Sequence, residues 1–298
     1  MIVLEQHRVT DNSKERRFIE YCIGLFPQIQ SKNAVKKAIK REELLLNGEV
    51  GRTGTWVSEG DDIQLVEGIR KAPKPFPMAI DIVFEDDHIT VVNKPSGLVV
   101  SGNKFQTLEN ALVDQVQLSK APDALEWVKP VHRLDGPTSG LVLCAKTYSA
   151  RINLMRQFEG RTVDKLYHAV LMGKCSKSEV IDSPIEDQEC LSELEPIRCV
   201  KSLRSGHMTL VQLKPKTGRT HQLRIHCQSI GHPIVGDTQY GDEGNVLLHK
   251  GLFLAATSIA FIHPVSGVRT SFTLDIPSKF KSLMERESRR YDKYHSIT

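Results

Sequence analysis

The pattern of apolar and polar residues predicts many short strands and a few helices. Strand-length apolar or alternating runs occur at residues 80–84, 89–93, 141–145, 165–172, 209–214, 247–249, 259–262 and 270–274. Helical spacing of apolar residues occurs at residues 17–30, 31–41, 107–116, 149–158 and 220–231. Because strands and helices do not alternate strictly, we expect an α+β fold with a mostly antiparallel sheet.

A proline-rich segment divides the chain. Residues 70–77 contain three prolines and three basic residues, which favours an extended, semi-rigid linker. The sequence therefore predicts a small domain at residues 1–69, a linker at 70–78 and a large domain at 79–298. Within the small domain, Asn47-Gly48 is a hairpin turn signal, and Ser31 is a good N-cap for the helix that follows.

Composition indicates an ordinary globular protein. The chain has 40% hydrophobic residues and a net charge of +4, which permits an acidic partner such as RNA but does not demand one. Its six cysteines form no C-x-x-C pair, which favours reduced thiols. The first residues are polar, and no apolar stretch reaches the roughly 20 residues needed to span a bilayer. We therefore expect a soluble cytoplasmic protein without membrane contacts.

The segment 131–140 is the candidate for the chemistry. Asp135 is followed by Gly136-Pro137, which breaks regular structure and favours a loop before the buried strand at 141–145. A carboxylate on a loop clamped by strands is held rigidly and stays reachable, as an active-site acid requires. The alternative is an Asp that only forms a turn, and these ten residues alone leave both interpretations open.

Four separated blocks resemble the RluA family of pseudouridine synthases. They are residues 85–98, the H-R-L-D-G-P-T-S-G run at 132–140, K-L-Y-H-A at 165–169 and G-R-T-H-Q-L-R-I-H at 218–226. The resemblance covers about residues 80–280 and weakens at 175–207, which is acidic and irregular. It implies the same α+β fold, with a central mixed sheet, and an RNA pseudouridine synthase activity. That isomerisation needs no redox change and no energy input, so we expect no cofactor.

The resemblance also implies site residues. Asp135 is the essential carboxylate, and Arg224 keeps it ionised. Tyr167 stacks on the target base and is a candidate to assist proton removal from carbon 5. Arg133 and Arg219 are expected to hold RNA, whereas Lys94 either contacts RNA or caps a turn. The histidines His132, His221 and His226 are not accompanied by carboxylates or thiols at ligand spacing, so we expect no metal site.

The small domain resembles the RNA-binding domain of ribosomal protein S-four. On this interpretation its basic helix meets RNA phosphates through Lys32, Lys36, Lys37 and Lys40. A merely solvated helix face is the alternative, because acids and bases cancel over residues 1–70.

Together these features predict an enzyme that flips a uridine out of structured RNA and isomerises it, and the family resemblance implies a monomer. Ribosomal RNA is the first substrate expected and transfer RNA the second. Two rivals remain: a non-catalytic RNA-binding protein on a synthase fold, and a nucleosidase or glycosidase, although most glycosidases use two carboxylates. The charged tail at 279–298 is expected to pack loosely.

Overall fold

The computed structural model describes residues 3–10, 16–67, 73–241 and 250–296. The chain divides into two compact units, Met1–Ala72 and Pro73–Thr298, called here the N-terminal and C-terminal units. Residues 70–72 of the expected linker lie outside the described residues. Phe76 and Met78 pack against apolar residues of the C-terminal unit, and the Phe76 N–H donates to the Asn110 carbonyl at 3.0 Å.

The N-terminal unit combines a small antiparallel sheet with two helices. Its elements are β1 (Val3–Arg8), β2 (Arg16–Arg17), α1 (Phe18–Tyr21), α2 (Lys32–Lys40), β3 (Leu44–Leu46), β4 (Glu49–Val50), β5 (Trp56–Val57) and β6 (Asp62–Val66). The sheet order is β1-β6-β3-β4, and β2 pairs with β5. Ser31 caps α2 as predicted, with its Oγ accepting the Ala34 N–H at 3.2 Å. Asn47 and Gly48, both at positive φ, form the hairpin turn between β3 and β4.

The C-terminal unit is built on one large sheet. Its elements are β7 (Asp81–Glu85), β8 (Ile89–Lys94), α3 (Leu108–Ala111), β9 (Ala124–Pro130), β10 (Ser139–Thr147), α4 (Tyr148–Glu159), β11 (Asp164–Met172), β12 (Glu179–Ile181), β13 (Ser192–Ser202), β14 (Gly206–Pro215), α5 (Gln222–Ser229), β15 (Leu254–Ile262), β16 (Arg269–Thr273) and α6 (Ser278–His295). The strand order is β12-β13-β14-β11-β15-β10-β8-β7, with β16 on β15 and β9 on β10. The β10–β15 pair is parallel, and the other pairs are antiparallel, so the α+β fold with a mixed sheet is confirmed.

Strand β10 is covered on both faces, which explains its unbroken apolar sequence. Leu141 and Leu143 pack into one cluster with Leu154 of α4, whereas Val142 and Cys144 pack into another with α3. Because successive side chains of a strand point to opposite faces, an apolar run of this kind is expected only where both faces are buried. This strand therefore gives the loop before it, which carries Asp135, a rigid base.

Several expectations from the sequence were wrong. The expected helices at 17–30 and 107–116 shorten to four residues each, and Gly24 and Asp114, both at positive φ, lie just beyond their ends. The irregular segment at 175–207 contains the eleven-residue β13, in which charged residues alternate with buried ones such as Leu194.

The C-terminal tail does not pack loosely. Residues 278–295 form helix α6, and its buried residues Phe280, Leu283, Met284 and Glu287 recur at the spacing of one helix face. The expected strand at 247–249 lies outside the described residues. In the described parts of the chain, no helix is both long and apolar enough to cross a membrane.

Candidate active site

The loop between β9 and β10 presents Asp135. The Asp135 carbonyl accepts the Thr138 N–H at 3.0 Å, closing a turn with Gly136 and Pro137 at its centre. His132 anchors the start of the loop, since its Nε2 accepts the Leu143 N–H at 3.0 Å. Burial, assisted by the charge of Lys165, lowers the pKa of His132 to about 3, so this histidine stays neutral.

Lys94 holds the same loop from inside the protein. Its side chain is fully buried, and the ammonium donates to the carbonyls of Pro95, Leu98 and Gly136 at 3.0, 2.7 and 3.2 Å. Burial lowers the pKa of Lys94 to about 8, although the negative charge of Asp135 acts in the opposite direction. Of the two roles considered for Lys94, an RNA contact and a turn cap, this arrangement favours the structural one, because the ammonium is buried against backbone carbonyls.

The Asp135 carboxylate lies beside two cationic or hydrogen-bonding groups of the α5 segment. Arg224 Nη1 is 3.6 Å from Asp135 Oδ2, and His221 Nε2 is 3.8 Å from Asp135 Oδ1. The side chain of Asp135 keeps 17% of its surface exposed, whereas that of Arg224 keeps only 5%. At this distance the positive charge of Arg224 attracts the carboxylate.

Asp237 fixes the guanidinium of Arg224. Arg224 Nε and Nη2 donate to Asp237 Oδ2 and Oδ1 at 2.7 and 2.8 Å, and the side chain of Asp237 is fully buried. Burial alone would raise the pKa of Asp237, but hydrogen bonds from Arg224 and from the Gln239 and Tyr240 amides outweigh it and lower the pKa. Such a bidentate pair fixes the plane as well as the position of the guanidinium.

The local sequence explains why Arg224 enters the cavity. Leu223 and Cys227 of α5 are buried in the core of the unit, so the intervening face of the helix turns towards Asp135. The buried side chain of Gln222 accepts from the Thr217 hydroxyl at 2.7 Å and from the Arg219 N–H at 3.0 Å. These bonds hold the loop before α5 in one conformation.

Tyr167 projects from β11 into the same cavity. Burial raises the pKa of its phenol well above the ordinary value, and the charge of Asp135 adds to the effect. The phenol therefore stays protonated at neutral pH, where it can donate a hydrogen bond or stack on a flat ring but is a poor base.

These side chains line a cavity of about 250 Å³. Five expected residues meet there: Asp135, Tyr167, Arg224, Arg133 and Arg219. Among the lining residues that the structure describes, Asp135 is the one carboxylate. The four expected lysines Lys32, Lys36, Lys37 and Lys40 instead lie exposed on α2 of the N-terminal unit.

The three histidines considered as metal ligands all have protein partners. His221 Nδ1 lies 3.0 Å from the Tyr240 hydroxyl, and His226 lies 3.0 Å from both the Ser192 hydroxyl and the Ser183 carbonyl. Over the described ranges, no three His, Cys, Asp or Glu side chains are grouped to hold a metal ion.

Comparisons with known proteins identify the family of this chain. Residues 88–229 match the family described as RNA pseudouridylate synthase. An uncharacterized RNA pseudouridine synthase of Aquifex aeolicus is 32% identical over an alignment of 303 positions, which covers 91% of this chain and 93% of the relative. The chain belongs to the RNA pseudouridine synthase family. It is therefore an enzyme that isomerises uridine in RNA to pseudouridine.

Further relatives of the synthase carry more specific names. Ribosomal large subunit pseudouridine synthase D of Xanthomonas campestris is 32% identical, with 94% of this chain and 92% of the relative covered. Ribosomal large subunit pseudouridine synthase C of Vibrio vulnificus is 37% identical over 78% of this chain and 76% of the relative. The solved structure of human RNA pseudouridylate synthase domain containing 1 has a TM-score of 0.55 at 23% identity, covering 70% of this chain and 95% of that one, and shares the fold.

Three residues of the synthase site were not assigned from the sequence. Lys165 lines the cavity, and its position two residues before Tyr167 on a strand was the available signal, because such residues share a face. Asp237 follows the apolar pair Ile234-Val235 and a glycine. This pattern is typical of a strand end but does not predict which side chain would pair with Asp237. Gln222 carried no signal, because a glutamine on a helix is usually exposed.

Proposed function

We propose that this synthase modifies uridines of ribosomal RNA and that Asp135 is its catalytic carboxylate. The single observation that carries the proposal is the carboxylate of Asp135 held 3.6 Å from the buried guanidinium of Arg224 in a cavity large enough to admit ligand atoms. The names of the Xanthomonas and Vibrio relatives support ribosomal RNA as the first substrate to test. Transfer RNA is the second.

The reaction is an isomerisation and needs no outside reactant. The bond between uracil N1 and ribose C1′ breaks, the base rotates, and a bond forms between C5 and C1′. The proton of C5 is lost, and N1 gains one, so atoms and electrons balance without a redox partner. We therefore assign no cofactor to the reaction.

Ionised Asp135 serves either of two routes. It attacks C1′ as N1 leaves and is later displaced by C5, or it removes a ribose proton to give a glycal and afterwards returns it. Both routes use the carboxylate of Asp135. The buried guanidinium of Arg224 lies 3.6 Å from this carboxylate, and Asp237 keeps the guanidinium in place.

Tyr167 and the cations at the cavity serve the flipped nucleotide. A uridine inside folded RNA must leave its stack at a cost of a few kcal/mol, which stacking and hydrogen bonding in the cavity offset. We assign stacking on the uracil to Tyr167, whose neutral phenol suits that role. Arg133, which is exposed, and Arg219 are assigned to the nucleotide's phosphates.

We further propose that α2 of the N-terminal unit contacts RNA. Lys32, Lys36, Lys37 and Lys40 are all exposed, while Val35 and Ala38 on the other face are buried. A helix with this division attracts phosphates without reading sequence.

The test is pseudouridine mapping with matched variants. Ribosomal and transfer RNA from a strain lacking the gene would be mapped by carbodiimide stops after complementation with the native protein, Asp135→Asn or Asp81→Asn. Asp81 is an exposed residue of β7 outside the cavity. We expect a defined stop that returns with native protein and Asp81→Asn but not with Asp135→Asn.

Purified proteins complete the test. Asp135→Asn should slow isomerisation by about 10³-fold or more while RNA affinity and melting temperature stay near native values. If Asp135→Asn restores the stop, Asp135 is not the catalytic carboxylate. If the native protein restores no stop in any RNA, the proposed substrate is wrong.

A further inference from the structure

A second cavity lies directly beside the active site. It has a volume of about 550 Å³ and shares Lys165 and Pro215 with the catalytic cavity. Its other cationic lining residues are Arg161, Lys214 and Lys216. We call this cavity the basic trough.

Three neighbouring segments bring the cations of the basic trough together. Strands β11 and β14 are antiparallel neighbours with Tyr167 opposite Leu213, so the beginning of β11 lies next to the end of β14. Lys165 lies near the beginning of β11, whereas Lys214 and Lys216 lie at the end of β14. Arg161 lies in the turn after α4, at φ 57°, just before β11.

Most of this positive charge is not neutralised by the protein. Arg161, Lys165 and Lys214 form no ion pair with any residue that the structure describes. Asp164, the one acidic lining residue, pairs with Arg269. Lys216 lies 3.0 Å from Glu193, but both side chains are more than 40% exposed, and such surface pairs contribute little and exchange readily.

Lys165 links the two cavities electrostatically. A methyl group placed on Gly218 would lie 4.0 Å from Lys165 Nζ, so this ammonium sits beside the loop that leads into α5. Burial lowers the pKa of Lys165, which means that its charge has lost hydration without gaining a carboxylate. An anion bound between the two cavities would stabilise the ammonium of Lys165 in place of the lost hydration.

We infer that the basic trough binds the phosphodiester backbone of the RNA strand that flanks the target uridine. Lys165 then lies at the junction between the trough and the catalytic cavity. The inference rests on the proposed function for its RNA substrate. An RNA strand continues from the flipped nucleotide with a phosphate at every step, and the shared wall of Lys165 and Pro215 gives that strand a continuous path. Phosphate contacts of this kind give affinity and register without sequence information.

The test compares two double variants of the full chain that each lose one lysine and one arginine. Arg161→Gln with Lys214→Gln removes charge from the basic trough, and Lys281→Gln with Arg289→Gln removes it from exposed positions of α6. Binding of a short fluorescent oligouridylate would be measured by anisotropy over a range of salt concentrations. None of these four residues lines the catalytic cavity, and melting temperatures would be recorded alongside.

We expect several-fold weaker binding for the trough variant only. The slope of log affinity against log salt concentration should fall by about 0.7 for each phosphate of the single strand that the variant no longer neutralises. Equal slopes and affinities for native and trough-variant proteins would overturn the inference. An equal loss of affinity in both double variants would also overturn it, because charge alone would then explain the effect.

Modified substrates would locate the binding position. In the RNA identified by mapping, one uncharged methylphosphonate linkage would be placed in turn on each side of the target uridine. A linkage that touches the trough should weaken binding to the native protein but not further weaken the trough variant, whereas equal responses at every position would contradict the inference. Failure of the native protein to form pseudouridine in any RNA would instead refute the proposed function.

Discussion

The pair of Arg224 and Asp237 allows a quantitative prediction for Asp237→Asn. Asp237 Oδ2 accepts from Arg224 Nε at 2.7 Å, and Oδ1 accepts from Nη2 and from the Gln239 and Tyr240 amides. Asparagine can keep the Oδ1 bonds, but its NH₂ group would face the Nε–H donor. The substitution therefore removes the negative charge and one of the two arginine bonds.

The energetic cost follows from burial. Removing one partner of a buried ion pair costs about 3–5 kcal/mol, because the remaining charge is left uncompensated. For a unit of this size, 1 kcal/mol shifts the melting temperature by roughly 2–4 °C, so Asp237→Asn should melt about 10 °C lower at pH 7. Because the pKa of Asp237 is lowered in the folded state, this stability is complete above the unfolded pKa of about 4. It is lost as pH falls through the still lower folded pKa.

Asp237→Asn should lower activity as well as stability at neutral pH. A guanidinium displaced by about 1 Å from Asp135 would reduce kcat by roughly 10²-fold, with RNA affinity unchanged. Gln239→Ala is the matched control, since Gln239 Oε1 contacts the same guanidinium at 3.5 Å from an exposed position and should change stability by less than about 0.5 kcal/mol. Thermal melts and single-turnover kinetics that show Asp237→Asn and Gln239→Ala behaving alike would refute the reasoning.

Two further predictions concern the support of the catalytic loop. Isomerisation by the native protein should decline above about pH 8 as Lys94 loses its proton, because the neutral amine has two hydrogens for three carbonyl acceptors; a kcat profile that stays flat to high pH would contradict this. Gly140→Ala should prevent stable folding, because its Cβ would lie 2.1 Å from the Ala256 carbonyl oxygen, whereas the Cβ of Gly206→Ala meets nothing within 4 Å and only its positive φ should cost about 1 kcal/mol. Urea denaturation of the two variants compares them, and similar midpoints would contradict the prediction.

Local signals in the sequence predicted the parts of the fold that depend on local structure. Ser31 caps α2 and Asn47-Gly48 forms a hairpin because both effects act within a few residues. Helix α6 was not predicted because most of its residues are charged and its apolar face is narrow. The packing of Phe280 in the core shows that this face is buried. Burial of that kind depends on distant parts of the chain.

The sequence likewise predicted some residues of the candidate site and not others. Asp135, Tyr167 and Arg224 were named because a family resemblance carries their positions, and the structure brings them into one cavity. Lys94 was left between two roles because a lysine after a strand gives no sign of whether its ammonium meets solvent or backbone carbonyls. Asp237 was missed because Arg224, thirteen residues earlier in the chain, becomes its neighbour only when the segment that directly follows α5 folds back.

The catalytic cavity draws its side chains from segments that lie far apart in the chain, and this has a consequence for folding. Asp135 precedes β10, Tyr167 belongs to β11, and Arg224 belongs to α5, so they meet only when the central strands have paired. The parallel pairing of β10 with β15 also closes a long loop, and contacts of such high sequence separation form slowly. Recovery of isomerase activity during refolding should therefore be the last signal to appear, after helix content, and its rate reports completion of the whole sheet.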